Sequence, residues 1–118
     1  MRKFVTLAAL ALCVAAVMPA AAANARTAKD ATVSEGIHSI QVGIQSWAVD
    51  HHDTYPPLCV VRSAVMLTYV DNWPINPWTH RGMRPGTRNG YYTYRRWNHA
   101  RSFKLVGHLS HGNVIVVP

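Results

Sequence analysis

The sequence predicts a single α+β domain in which one long amphipathic helix packs on a small antiparallel sheet of about three strands. Two observations lead to this prediction. Residues 33–49 carry large apolar side chains at the spacing of one helix face, and the last third of the chain consists of short β-prone runs joined by turn residues. The 118 residues are enough for one domain but not for two.

The first 25 residues have the composition of a secretory signal peptide. A short basic head precedes the apolar run Phe4–Val17, and small residues follow up to an Ala-x-Ala sequence that ends at Ala25. We therefore expect cleavage between Ala25 and Arg26, with cleavage after Ala23 as the second choice. A retained membrane anchor is the alternative, but Pro19 and the polar residues that follow interrupt the roughly 20 apolar residues that a spanning helix needs.

The mature protein expected from this cleavage is a single domain, residues 26–118, with no integral membrane segment. We expect it to be secreted, periplasmic or held in the cell envelope. The whole chain carries a formal net charge of +7, and +5 remains once the two leader cations are removed. A basic surplus allows contact with anionic polymers or lipid headgroups but does not select a fold. Cys59 is the one cysteine left, so no internal disulfide can form, and we expect it to be a small buried apolar residue.

The helix predicted over residues 33–49 is the element around which the rest of the chain is organised. Thr32 and Glu35 match a capping box, so we expect the helix to begin there. Gly36 and Gly43 lie beside the apolar stripe. Because each glycine costs a helix about 1 kcal/mol relative to alanine, the pair indicates a close backbone approach on that side. The stripe itself consists of Val33, Ile37, Ile40, Ile44 and Trp47.

The helix is expected to end near Asp50, because the prolines that follow Tyr55 cannot continue it. Beyond them, an apolar stretch can form a turn or two of helix around residues 64–69. Residues 71–90 contain three prolines and three glycines and predict a long loop. Trp73 and Trp78 are expected to pin this loop to the core, since each indole can bury a large area.

The last third of the chain predicts a three-stranded antiparallel meander. The strands are expected over Tyr91–Trp97, Phe103–Leu109 and Asn113–Val117, because aromatic and β-branched residues concentrate there. Phe103 and Leu105 alternate with polar residues, which gives the sheet one apolar face. That face is expected to pack on the stripe of the helix.

The order of these motifs resembles the globular part of type IV pilin-like proteins, above all the pseudopilins of type II secretion. The resemblance covers Ser34 to about Val117 and is most specific over Tyr69–Thr79, which contains the string WPINPWT. It implies a pilin-like fold and a structural or binding component of a secretion or pilus assembly, with a protein partner or a second copy as the contact. The prepilin leader of that family is absent, so the resemblance implies a soluble exported protein. The family's calcium site is not expected, because Asp71 is the only acidic residue after position 53.

Catalytic and metal sites are not expected. The pairs His51-His52 and His108/His111 contain metal-ligating side chains, but adjacent histidines at a helix end cannot both face one ion without a special turn. The sequence offers no nucleophile with a base and no paired carboxylates. We therefore expect neither an enzyme nor a cofactor.

A second function hypothesis comes from arginines that lie close to aromatic residues after position 80. Arginine and aromatic side chains together hold single-stranded nucleic acid through phosphate contacts and stacking, so the chain could be an extracytoplasmic module that binds nucleic acid or an envelope polymer. Strand alternation argues against one basic face, because it places Arg95 and Arg96 on opposite sides of the sheet. The candidate anion-binding residues are Arg81, Arg84, Arg88, Arg95, Arg96 and Arg101.

Overall fold

A computed structural model describes the side chains of residues 24–118. One long helix packs on a three-stranded antiparallel sheet in the order β1-β2-β3, which confirms the α+β arrangement. Two short 3₁₀ helices, Ala64–Thr68 and Ser110–Gly112, interrupt the connections. The main elements are α1 (Arg2–Asp50), α2 (Leu58–Val61), β1 (Tyr92–Trp97), β2 (Ser102–His108) and β3 (Val114–Val117).

The predicted signal peptide lies, up to residue 23, outside the described side chains. Ala25 and Arg26, the expected cleavage pair, are exposed residues of α1. Among the helices of the described part, none has both the length and the apolar character that a membrane crossing requires.

The expected start of the helix at Thr32 is wrong, because α1 already runs through this residue. The Thr32 hydroxyl donates to the carbonyl of Ala28 at 3.0 Å, and the Ser34 hydroxyl donates to the carbonyl of Asp30 at 3.0 Å. Such bonds to the preceding turn satisfy hydroxyl groups inside a helix, so Thr32 does not cap one. The alanine-rich residues before it favour helix and allow α1 to continue upstream. The end of α1 at Asp50 agrees with the expectation.

The apolar stripe of α1 forms one side of the core. Val33, Ile37, Ile40 and Ile44 are fully buried, and they belong to one cluster with Tyr92, Phe103 and Leu105 of the sheet. Trp47 is half-buried at the edge of this cluster, where its ring stacks on that of His51 at a centroid distance of 3.5 Å. The local period of the helix therefore places the isoleucines at the centre of the core and the tryptophan at its margin.

The glycine side of α1 is where the loop region approaches the helix. A Cβ built on Gly36 would lie 2.7 Å from Cβ of Pro74, and one on Gly43 would overlap the side chain of Val70. The expected close approach is therefore present, and the partners are the segments on either side of Asp71. Each glycine costs helix stability but lets those segments lie directly on the helix.

The sheet has the expected meander topology, and the ends of each strand lie within one residue of their predicted positions. β1 pairs with β2 in a register that sets Tyr94 opposite Leu105, and β2 pairs with β3 so that Leu105 also faces Val117. These three residues point toward α1. On the other face of the sheet, Val114 and Val116 are about half exposed.

Cys59 is exposed, so the expectation of a buried thiol is wrong. The residues around it form the single turn of α2 and not an extended run. Of the four residues in that turn, Val61 is the buried one. A single helical turn on a surface directs only part of its side chains inward, and Cys59 lies on the outer part.

Candidate anion-binding surface

The loop between the 3₁₀ helix Ala64–Thr68 and β1 is a packed structure held by its own side chains. Its two arms meet in an antiparallel bridge between Ile75 and Gly82. The indole Nε1 of Trp73 donates to the carbonyl of Met83 at 2.9 Å, and the amide of Met83 donates to the carbonyl of Pro74 at 2.8 Å. Trp73 therefore joins the arms directly, and the loop has a fixed shape.

Asn76 organises the tip of this loop, a function that the sequence interpretation missed. Its side chain is 1% exposed. Its Oδ1 accepts from the amide of Trp78 at 2.9 Å, and its Nδ2 donates to the carbonyl of Asn89 at 3.0 Å. Its own amide donates to the carbonyl of Arg81 at 2.7 Å. The Asn-Pro pair at this position was the available signal, because asparagine before proline favours a side-chain-stabilised turn.

The backbones of Arg81, Arg84 and Arg88 are each fixed by a hydrogen bond at the carbonyl oxygen. Arg81 accepts from Asn76, Arg84 accepts from Tyr92 at 3.1 Å, and Arg88 accepts from Tyr91 at 2.9 Å. All three side chains are exposed. Among the described residues, none of the three guanidinium groups has a hydrogen-bond or ion-pair partner. The loop thus fixes the backbone of three arginines, and their charges have no partner among the described residues.

Two neighbouring depressions bring these arginines together. Thr79 and Tyr91 line both depressions, so the surface is continuous across them. We call it the loop surface. The first depression is lined by Thr79, Arg81, Gly82, Arg84 and Tyr91, and the second by Trp78, Thr79, Arg88, Asn89 and Tyr91.

The other three candidate arginines do not join the loop surface. Arg96 donates from Nη1 to the carbonyl of Tyr55 at 2.8 Å, a contact that ties β1 to the segment after α1. Arg95 lies on the outer face of the sheet, with its guanidinium 5.3 Å from the ring of Trp97. Arg101 is exposed in the turn between β1 and β2. Because β1 runs away from the loop, its far end lies about 20 Å from the loop surface.

Trp78 connects the loop surface to α1. Both Trp73 and Trp78 are partly buried and pack against the core, so both attach the loop to it as expected. The Lys29 ammonium lies 5.8 Å from the centroid of the Trp78 ring, within the range of a cation–π contact. No sequence pattern places Lys29 here, since the two residues are far apart along the chain.

The histidines do not converge. In the described part of the chain, no three His, Cys, Asp or Glu side chains come together as a possible metal site. Nδ1 of His51 lies 2.7 Å from the carbonyl oxygen of Trp47, and Nε2 of His111 lies 2.7 Å from Nη1 of Arg26. Each of these two imidazoles thus has a contact within the fold, His51 with the last turn of α1 and His111 with Arg26 of the same helix.

Two tyrosines of β1 have perturbed hydroxyl groups. Burial raises the pKa of Tyr92 to about 12, against a smaller lowering effect of Arg62. Burial also raises the pKa of Tyr94, whose hydroxyl donates to the carbonyl of Pro56 at 2.6 Å. The Tyr92 hydroxyl is buried and has no hydrogen-bond partner among the described residues. Both groups are neutral at physiological pH and belong to the core.

Comparison of the chain with protein-family models, with curated proteins and with solved structures found no match.

Proposed function

We propose that this chain is an exported, non-catalytic protein of pilin-like build that serves as a structural or binding component of a secretion or pilus assembly. The relation of α1 to the rest of the fold supports this most directly. Residues of α1 from Val33 onward fill the core of the head, which we define as residues 29–118, whereas the described residues before Lys29 are exposed. A helix that both builds the head and extends from it can carry the head within an assembly.

The outward face of α1 offers a surface for a neighbouring subunit. Val42 is 58% exposed and Val49 is 75% exposed, one after the other along this face. Val42 borders a depression that Tyr69, Val70 and Asp71 also line. Exposed apolar residues in such a row favour contact with a second apolar helix face.

Site-specific photo-crosslinking in the producing cell tests this proposal. A photoreactive residue at Val42 or Val49 should give crosslinks to a second copy of the chain or to a pilin-type subunit. Thr87, an exposed residue on the loop far from this face along the chain, provides the control position. Products that are the same at all three positions, or none at the α1 positions, would contradict the proposal.

A specific observation favours a second candidate function, the binding of an anionic polymer. Arg81, Arg84 and Arg88 surround Tyr91 without any partner for their charges among the described residues. Such groups can contact phosphates while Tyr91 stacks on a base.

Titration with single-stranded nucleic acid and with polyphosphate over a range of salt concentrations tests the second candidate. If the loop surface binds these polymers, log Kd should rise steeply with log salt, because phosphate contacts release counterions. Serine at the three loop arginines should flatten the slope by about 2 to 3. A flat slope in the unmodified protein would exclude this candidate.

A further inference from the structure

Basic and aromatic side chains collect at the end of the head from which α1 leaves. Lys29 lies over Trp78, and Trp78 lines the same depression as Arg88. Nearby on α1, Arg26 donates from Nη1 to Nε2 of His111 at 2.7 Å. We call Arg26, Lys29, Trp78, Arg88 and His111 the basal surface.

The charge of this end is positive even when its acidic residue is counted. Asp30 is the carboxylate next to the basal surface, and it accepts from the amide of Ser110 at 2.9 Å and from its hydroxyl at 2.7 Å. Arg81 and Arg84 adjoin the basal surface through Thr79. The remaining acidic residues are Glu35, on the face of α1 opposite the stripe, Asp50 and Asp53, at the other end of α1, and Asp71, beside Val42.

The position of the basal surface on the chain suggests what it faces. The described residues of α1 that precede Lys29, residues 24–28, are exposed. In the sequence, eleven residues separate Lys29 from the apolar run Phe4–Val17, a distance of about 18 Å along an α-helix. In the proposed export the apolar run enters the bilayer, and Lys29, Trp78 and Arg88 are then the part of the head closest to the lipid headgroups.

We infer that the basal surface docks the exported protein on a membrane surface rich in anionic phospholipid. Lys29, Arg88 and Arg26 contact the phosphodiester groups, and the partly buried Trp78 lies at the level of the headgroups, where indole rings are favoured. Each cation near an anionic surface contributes about five-fold to the partition coefficient. The inference rests on the proposed export but not on the proposed assembly.

Vesicle binding by the purified protein, in the form recovered from the cell, is the first test. Partition into vesicles of phosphatidylcholine is compared with partition into vesicles that contain about 30% phosphatidylglycerol. The ratio of the two isolates the effect of lipid charge from any apolar contribution of the leader. With three cations that each contribute about five-fold, we expect a ratio of about 100 at low salt that falls as salt is added. A ratio near one would overturn the inference and leave the crosslinking test of the assembly unaffected.

A pair of variants with equal loss of charge then tests the location. Lys29→Ser with Arg88→Ser should lower the ratio about 25-fold. The control, Arg95→Ser with Lys104→Ser, removes a cross-strand pair on the outer face of the sheet and should change it little. Circular dichroism verifies that both variants fold. If one variant does not fold, the salt dependence of the partition ratio of the unmodified protein still decides the inference. An equal fall of the partition ratio in both variants would mean that binding depends on net charge alone and not on the basal surface, which overturns the inference. Tighter binding per phosphate to polyphosphate than to the anionic vesicles would assign the cations to a polymer instead.

Discussion

Asp30 on α1 accepts two hydrogen bonds from Ser110, one from its amide at 2.9 Å and one from its hydroxyl at 2.7 Å. Ser110 begins the 3₁₀ helix between β2 and β3, and its side chain is buried. This contact fixes the turn of the sheet against the helix at the end of the head where α1 leaves. It connects residues that lie 80 positions apart in the sequence.

Loss of the Asp30 carboxylate should therefore destabilise the fold. Hydrogen bonds to charged groups contribute about 1.5–3 kcal/mol, so Asp30→Ala should lower the free energy of unfolding by about 2 kcal/mol. Glu35→Ala removes an exposed carboxylate from the same helix and should change it by less than about 0.5 kcal/mol. Urea unfolding followed by circular dichroism measures both. Equal effects would mean that charge on α1, and not the contact with Ser110, determines the result.

The orientation of α1 predicts opposite results at two nearby positions. Trp47 is partly buried and packs against the core, whereas Gln45 is exposed. Removal of a fully buried aromatic ring costs about 3–5 kcal/mol, so Trp47→Ala should cost about 2–3 kcal/mol. Gln45→Ala should be close to neutral, because alanine is also a good helix former. Thermal and urea unfolding compare the two variants. A similar loss of stability in both would show that the face of α1 assigned to the core is incorrect.

The two tyrosines of β1 that face the core should respond differently to the loss of a hydroxyl group. The Tyr92 hydroxyl is buried without a partner, so Tyr92→Phe should leave stability unchanged or raise it by up to about 1 kcal/mol. The Tyr94 hydroxyl donates to the carbonyl of Pro56, so Tyr94→Phe should cost about 1 kcal/mol. Urea midpoints decide between the cases. A larger loss for Tyr92→Phe than for Tyr94→Phe would contradict the assigned contacts.

Alkaline pH should destabilise the fold through Tyr92. Its pKa is about 12 in the folded protein, against the ordinary value of 10.0 that applies once the chain unfolds. Between these values the folded state keeps a proton that the unfolded state has lost, so the free energy of unfolding falls as pH rises from 10.0 to about 12. Below pH 10.0 this contribution is constant. Between these pH values the free energy of unfolding should decline less steeply in Tyr92→Phe than in the unmodified protein. An identical decline in both would contradict the burial of the hydroxyl group.

The periodic parts of the fold could be predicted from the sequence because their pattern is local. Ile37, Ile40 and Ile44 face the core since the helix period places them on one side, and Phe103 and Leu105 do so since a strand alternates. The start of the helix could not be predicted from Thr32, because a capping residue and a mid-helix threonine look the same in sequence. The difference depends on whether the residues before it are helical.

The candidate site could be predicted only in part. Their closeness in sequence placed Arg81 and Arg95 together among the candidate anion-binding residues. In the structure Arg95 lies on β1, which runs away from the loop. The contact of Lys29 with Trp78 joins distant segments, and nothing local signals it. Asn76 was overlooked because its importance lies in the two arms that it joins, which only the folded loop brings together.

Asn76 should control both the stability of the loop and the strength of anion binding. Asn76→Ala removes the bond to the amide of Trp78 and the bond to the carbonyl of Asn89, and leaves both backbone groups without that partner. We expect a loss of about 2–3 kcal/mol in the free energy of unfolding. Because Arg81 and Arg88 adjoin the released segments, any anionic partner would also have to order the loop on binding, which should weaken affinity several-fold.

Asn72→Ala is the matched control for this prediction. Asn72 is an exposed asparagine at the start of the same loop, so its replacement should affect neither property by more than experimental error. Urea unfolding measures stability, and titration with polyphosphate measures binding.

The third variant replaces Arg81, Arg84 and Arg88 with serine. It should weaken the binding of polyphosphate and leave the free energy of unfolding unchanged. If the arginine variant fails to fold, these side chains stabilise the loop and are not a binding surface. If Asn76→Ala unfolds more easily but binds as before, the fixed loop geometry has no influence on the contact.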